Sequence, residues 1–422
     1  MKVFRKIVIM LLSLCLLMIS SGCESLNIRN NSSDDYSYDY EYISDNMNLN
    51  EIIPIFNAKN QEIGSITCYG YSALVNGSIL YTKYPENTSS SNCLEYWLYD
   101  IEAKEDYKLG IVDVDSYEAF YETIKSDNHL YLSVSNGGFA AQDGKQTFYD
   151  IDLLQHSMTP ILVIERGSPY NSYTIANNKL VVAEFLYNGT TDIVEVDLRE
   201  KRTSPVIHKY NENDYFTKNS IRHIYADKDY VYTVRLVNDG FDNYSLKLDI
   251  YEFNFNLVDT IDISEFCVST ETGRSEDRKI NEWKQFISYF FVHNDLVYYQ
   301  NFSITNAIGT INNSEVDRLI NTDALFSYAM SVSNNDENEL FIQSYGDNTE
   351  YRNIFYLVDP KTHEVKTSVF FADEPLYSFR AAFRDNEKIL LTMGYLPYDK
   401  GERLPDRLYY IDMNDLDFKP MD

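Results

Sequence analysis

A short polar turn followed by an apolar strand recurs seven times along this chain, and no other feature limits its fold as much. The turns are Asn76-Gly77-Ser78 before Ile79, Asp127-Asn128-His129 before Leu130, Asn177-Asn178-Lys179 before Leu180 and Asp227-Lys228-Asp229 before Val231. They continue with His293-Asn294-Asp295 before Leu296, Asn338-Glu339 before Leu340 and Asn386-Glu387-Lys388 before Ile389. Successive anchors lie 51, 50, 51, 65, 44 and 49 residues apart. A second marker keeps the same phase: an aromatic or β-branched run ending on an acidic or amide residue. It reads WLYDIE to Glu102, FYDID to Asp152, IVEVD to Asp197, IYEFN to Asn254, IGTIN to Asn312, FYLVD to Asp359 and YYID to Asp412.

Each unit has room for four short strands, with too many polar breaks for helices of ordinary length. One such sheet leaves both faces open to water. Stacking successive sheets around an axis buries those faces and leaves only short edges. The expected fold is therefore all-β, a single β-propeller over residues 51–422 of about seven four-stranded antiparallel blades. The chain stops soon after the third strand of the last unit, so an early segment, IIPIF or IGSITCYG, is expected to supply the closing strand. The stretch FYLVDPKTHEVKTSV, residues 355–369, is similar to the strand-turn-strand of quinoprotein-like and YVTN-type bacterial propellers. That resemblance speaks to fold and carries no catalytic residue.

Ahead of the repeats the chain reads as an export signal: Lys2, Arg5 and Lys6, then an apolar run from Ile7 to Ile19, then Ser20, Ser21 and Gly22. The apolar run is shorter than the roughly 20 residues that a spanning helix needs. Ile19-Ser20-Ser21-Gly22-Cys23 resembles the lipobox of bacterial lipoproteins, with Ser20 in place of the usual Leu. The resemblance implies a signal peptide over 1–22, a lipid on Cys23, and anchorage at the extracytoplasmic face of a bacterial cell membrane. Residues 23–50 then form an acidic, disordered tether containing DDYSYDYEY. Of the remaining cysteines, Cys68 and Cys93 both fall in the first repeat, either as a disulfide or as buried hydrophobes.

Charge narrows the partners. The formal net charge is -29, which repels phosphate backbones and makes nucleic acid an unsuitable ligand. No catalytic constellation stands out: GxSxG, HExxH, P-loop and EF-hand patterns are absent, no cofactor is implied, and no cysteine or histidine spacing suits a metal. Ala141-Gln142-Asp143-Gly144-Lys145-Gln146-Thr147-Phe148 resembles a degraded Asp box of sialidases, but it occurs once and an Asp-Gly hairpin turn accounts for it.

Two groups of residues are candidates for binding. Arg222 and Arg380 each lie nine residues before their strand anchors, Val231 and Ile389, so they occupy equivalent places. Facing a central channel they would hold a carboxylate or phosphate, and otherwise they would form salt bridges between blades. The second group follows from loop length. In an antiparallel blade the second-to-third connections and the blade-to-blade connections emerge at one end, and here the long segments concentrate at that end. Aromatic residues accompany them: Tyr84, Phe139, Tyr187, Phe241, Tyr345 and Tyr395, with Trp283 in an insertion. They serve either as packing at the blade ends or as a platform for a sugar or peptide. The expected function is a membrane-anchored binding or scaffold protein holding a protein, peptide or glycan. The other reading is an exported propeller-type hydrolase or lyase.

Overall fold

The computed structural model describes residues 50–85, 93–113, 120–126, 128–136, 145–165, 172–185, 191–199, 202–203, 208–210, 220–227, 229–238, 244–264, 287–293, 296–301, 305–312, 315–321, 332–333, 340–345, 352–359, 361–362, 364–371, 377–395 and 405–420. These residues are almost entirely extended, and the one helical element among them is the 3-10 turn Met413–Asp415.

The strands form seven small sheets that are antiparallel apart from one join. Two strands precede the first repeat, β1 (Glu51–Phe56) and β2 (Glu62–Cys68). The first sheet is β3 (Gly70–Val75), β4 (Ser78–Lys83), β5 (Cys93–Asp100) and β6 (Glu105–Asp113). The second is β7 (Phe120–Ser126), β8 (His129–Asn136), β9 (Lys145–Asp152) and β10 (Ser157–Glu165). In the third, β11 (Ser172–Ala176), β12 (Lys179–Phe185) and β13 (Thr191–Asp197) are followed by a broken fourth strand, β14 (Arg202–Thr203) and β15 (His208–Tyr210), both paired to β13. The fourth is β16 (Ser220–Ala226), β17 (Val231–Asn238), β18 (Tyr244–Tyr251) and β19 (Leu257–Asp262). The fifth is β20 (Ile287–His293), β21 (Leu296–Asn301), β22 (Thr305–Asn312) and β23 (Glu315–Asn321). The sixth is β24 (Val332–Ser333), β25 (Leu340–Tyr345), β26 (Arg352–Val358) and β27 (Val365–Phe371). The seventh is β28 (Tyr377–Asp385), β29 (Lys388–Tyr395) and β30 (Arg407–Asp412), and a last strand β31 (Lys419–Pro420) follows.

The recurrent turns therefore mark the hairpins between first and second strands, one per sheet. The N-terminal strands complete the seventh sheet, as the missing strand of the last repeat requires. IIPIF, in β1, lies beside β30, and β2 lies outside β1. The join is parallel, through Ile55 opposite Leu408 and Phe56 opposite Tyr409. The C-terminal residues do not stay with their own sheet. β31 pairs with β27 of the sixth sheet, which has an open outer edge for it.

Apolar residues of neighbouring sheets pack face to face. Leu80, Tyr96 and Leu98 meet Leu130, Leu132 and Ile151 between the first two sheets. Phe148 and Leu162 meet Leu180 and Val182 between the second and third. Leu246 and Ile261 meet Val292 and Val297 between the fourth and fifth. The seventh sheet packs on the first as well, with Ile53, Ile55, Leu390 and Leu408 against Ile79, Tyr81 and Tyr99. A glycine permits part of that last contact: a Cβ on Gly64 of β2 would lie 2.7 Å from the Tyr99 hydroxyl. First strands touch one another in succession, β28 with β3, β3 with β7, β7 with β11, β11 with β16 and β16 with β20, and β24 touches β28. The arrangement is propeller-like.

Candidate functional site

The two ends of these sheets are built differently. At one end lie the first-to-second and third-to-fourth turns, and local hydrogen bonds account for them. Asn76 and Gly77 have φ of 48° and 74°, and Asn177 and Asn178 have φ of 47° and 61°, the left-handed pairs that a two-residue hairpin requires. The acidic residue that ends the third strands is a turn device, and in the first sheet it is Asp100, two places before Glu102 of the sequence marker. Oδ1 of Asp100 accepts the N–H groups of Glu102 at 2.9 Å and Ala103 at 2.8 Å, and Asp359 Oδ1 accepts those of Lys361 at 2.7 Å and Thr362 at 3.1 Å. Asp152, Asp197 and Asp412 do the same. In the fourth sheet the strand ends at Tyr251, and Asn254 plays this part inside the turn, accepting from Asn256. These hydrogen bonds hold the Asp359 carboxyl below its ordinary value, and Lys388 does so for Asp412. A carboxylate fixed in this way serves the backbone rather than a ligand. His129, in one of the recurrent turns, is paired with Asp150 at 2.6 Å.

The opposite end carries the second-to-third connections. Tyr84 stands there just past β4, and it is packed: 9% exposed, with its ring edge-on to Tyr69 at 4.6 Å. Asn50 fastens its backbone from both sides, Nδ2 donating to the Tyr84 carbonyl at 3.1 Å and Oδ1 accepting the Tyr84 N–H at 2.9 Å. Tyr84 is therefore packed at this end of the sheet. Tyr345 and Tyr395 are the last residues of β25 and β29, opposite Asn353 and Tyr377. Phe139, Tyr187, Phe241 and Trp283 lie outside the described residues, as do Asp143-Gly144, Cys267 and the lipobox with Cys23.

The backbone gives Arg222 and Arg380 a shared position. Pairing of β16 with β17 passes from Ile221 opposite Arg235 to His223 opposite Val234, leaving Arg222 as the extra residue of a bulge. Pairing of β28 with β29 passes from Phe379 opposite Met393 to Ala381 opposite Thr392, leaving Arg380 in the same role. Both bulges lie level with the residue three past the strand anchor, Val234 and Thr392. Sequence spacing made the two positions equivalent but gave no sign of the bulges.

Sequence reasoning missed a buried ionic cluster in the fourth sheet. Asp249 is 1% exposed and accepts Arg235 Nε at 2.6 Å, Arg235 Nη2 at 3.1 Å and Thr260 Oγ1 at 2.8 Å. By strand alternation it shares the face of Val231 and Tyr251, which pack on Val181, Ala183 and Ile193 of the third sheet. Lys179 and Glu195 pair at 2.8 Å on the third sheet. In the first sheet, Glu95 accepts from Lys108 at 2.5 Å and from Trp97 Nε1 at 3.0 Å, while Lys83 Nζ sits 3.6 Å from the centroid of a Trp97 ring. Each of these charge pairs joins neighbouring strands of a single sheet. Cys68 and Cys93 are not joined in a disulfide. Among the described residues, no three His, Cys, Asp or Glu side chains are grouped to hold a metal.

No protein-family model matches the chain, and no curated protein matches it in sequence. Solved structures do match in shape, and these neighbours are β-rich, propeller-like folds. One is acylaminoacyl peptidase in complex with Z-Gly-Gly-Phe-chloromethyl ketone, at 11% identity and a TM-score of 0.40, covering 72% of this chain and 52% of that one. Another is the uncharacterized protein lmo1340 from Listeria monocytogenes, at 10% identity and a TM-score of 0.43, covering 80% of this chain and 93% of that one. A third is Saccharomyces cerevisiae Sqt1, at 12% identity and a TM-score of 0.42, covering 86% and 87%. The chain thus spans about half the length of the peptidase.

Proposed function

We propose that this chain is a lipid-anchored binding protein of the bacterial cell surface, whose seven sheets close into a ring and whose long-connection end holds a protein, peptide or glycan. The observation that carries the reading is the way the chain enters the fold. Asn50, the first described residue, is bonded to Tyr84 at the long-connection end, and β1 then runs along β30 at the seam between last and first sheets. A tether from Cys23 would therefore arrive at the same end as the long connections. The lipobox-like residues Ser20, Ser21, Gly22 and Cys23 support the anchor, and two or more acyl chains would make it stable. The packing of Leu390 and Leu408 on Ile79 and Tyr81 supports the closed ring.

The anchor is tested by metabolic labelling with a radioactive or alkyne-tagged fatty acid, followed by membrane fractionation of the wild type and Cys23→Ala. The wild type should carry the label and sediment with membranes, and the variant should be unlabelled and released or unprocessed. Membrane retention of a wild-type chain with no acyl group would overturn the anchor.

A further inference from the structure

The face that the first sheet turns to the seventh changes character along its strands. Towards the short turns, Ile79, Tyr81 and Tyr99 pack on Ile53 and Leu390. Towards the long connections the same face carries Lys83, Glu95, Trp97, Lys108 and Ile111, because Glu95 and Trp97 alternate in step with Tyr99 and their register partners on β4 and β6 share that side. The buried Glu95 carboxylate fixes two of these side chains, accepting from Trp97 Nε1 at 3.0 Å and from Lys108 Nζ at 2.5 Å. Lys83 is left without a carboxylate. Its ammonium lies 3.6 Å from the centroid of a Trp97 ring, and that ring is its one partner among the described residues. The patch is open to solvent, with the Lys108 side chain 40% exposed and Ile111 52% exposed.

The chain enters the fold beside this patch, out of an acidic stretch. Asn50, the first described residue, is bonded to Tyr84, the neighbour of Lys83. Ahead of it, residues 39–45 read DYEYISD, with three carboxylates, two tyrosines and no basic residue. Asp45 precedes Asn50 by five residues and Asp39 by eleven, and an extended chain spans at most roughly 17 and 37 Å over those lengths. A free anion must approach a chain of net charge -29, whereas a segment already joined to the protein next to the patch is present there at an effective concentration on the order of millimolar.

We infer that Lys83, with the fixed Trp97 ring and the exposed Ile111 beside it, is a docking site for the chain's own segment 39–45. Lys83 takes a carboxylate of Asp39, Glu41 or Asp45, and Tyr40 and Tyr42 supply rings to lie against Trp97 and Ile111. Docking leaves residues 24–38 as the free length that follows Cys23, and with the anchor proposed above it turns the seam between the first and seventh sheets towards the membrane. The inference itself needs neither the lipid nor the closed ring, since it uses only the first sheet and the covalent continuity of the chain.

The test is zero-length carbodiimide coupling on the full chain in detergent micelles at low ionic strength, with the joined peptides identified by mass spectrometry. Lys83 should be coupled to Asp39, Glu41 or Asp45 of the same chain, and mixing chains of light and heavy isotope separates coupling within a chain from coupling between chains. Lys108 coupled to Glu95, 2.5 Å away, is the internal control. Chymotrypsin cleavage after Tyr40 and Tyr42 reads the same contact without a coupling reagent. Lys83→Gln should speed that cleavage about fivefold, as should the triple change Asp39→Asn, Glu41→Gln and Asp45→Asn, or raised salt on the wild type. The two sets of changes combined should cleave no faster than either alone, because both remove one contact. The triple variant alters no residue of the sheets, so it reads the contact even where Lys83→Gln lowers stability. Absence of coupling between Lys83 and residues 39–45 overturns the inference, as does coupling only between chains or equal cleavage of the wild type and the triple variant.

Discussion

The carboxylate of Asp385, in the seventh sheet, accepts the backbone N–H of Asn76, in the first hairpin of the first sheet, across a separation of 309 residues. Asp385 is 2% exposed and Asn76 lies at the surface, so this bond is part-buried. It ties together the two sheets that are furthest apart along the chain.

Removing that acceptor leaves the Asn76 N–H without this partner at a part-buried place. Asp385→Ala should cost about 1–3 kcal/mol of stability, and Asp385→Asn, which keeps an acceptor oxygen, should cost less. Urea unfolding followed by tyrosine fluorescence measures both. Equal losses in the two variants would assign the effect to packing instead of the hydrogen bond.

At the same hairpin, Gly77 has φ of 74°, and a Cβ there would meet the Tyr410 hydroxyl at an ordinary 3.6 Å. Space is therefore available, and the cost of Gly77→Ala comes from the left-handed backbone, about 1–2 kcal/mol. Thermal unfolding should show this loss, while Gly77→Asn, a residue that tolerates the conformation, should recover much of it.

Tyr84 gives a prediction about packing. Its ring is buried against Tyr69, so Tyr84→Ala should destabilise the protein by about 3 kcal/mol. Asn50→Ala should weaken the same corner, because Asn50 holds both backbone groups of Tyr84. Limited proteolysis should then cut near residue 84 earlier than in the wild type.

Stability should depend on pH through the turn carboxylates. The Lys388 hydrogen bond at 2.5 Å holds Asp412 below its ordinary value of 3.8, and the Lys361 and Thr362 N–H groups do so for Asp359. A lowered folded value means that the contribution is complete above 3.8 and is lost as pH falls through the folded value beneath it. Lys388 is raised above 10.5 by Asp412, so its contribution is complete below 10.5 and lost as pH rises through the raised value. Thermal midpoints measured from acid to alkaline pH should fall at both extremes, and Asp412→Asn should flatten both limbs.

The two thiols of the first repeat should differ in reactivity. Cys68 is fully buried and Cys93 partly exposed, with no bond between them. Maleimide should label Cys93 in the native protein and Cys68 only after unfolding. Mass spectrometry showing the two joined would contradict the absence of the disulfide.

By itself, the sequence determined what rests on short-range hydrogen bonds. The Asn-Gly and Asn-Asn hairpins and the Asp-initiated turns join residues only two or three positions apart, so their signals survive in short windows. The same phase put Arg222 and Arg380 in equivalent places, because equal counts along a strand give equal levels in a sheet. The bulges beneath them were not legible, since a bulge depends on how two strands align and not on one strand's residues. Tertiary structure alone decided the parallel join of β1 with β30 and the placing of β31 on β27, because an edge accepts whichever distant strand reaches it unpaired. It also decided that Tyr84 is packed, through Asn50 and Tyr69, and that Asp249 is held by Arg235 and Thr260 of its two neighbouring strands. Those contacts depend on how strands are aligned and on residues brought from 11 to 34 positions away, and no local pattern records them.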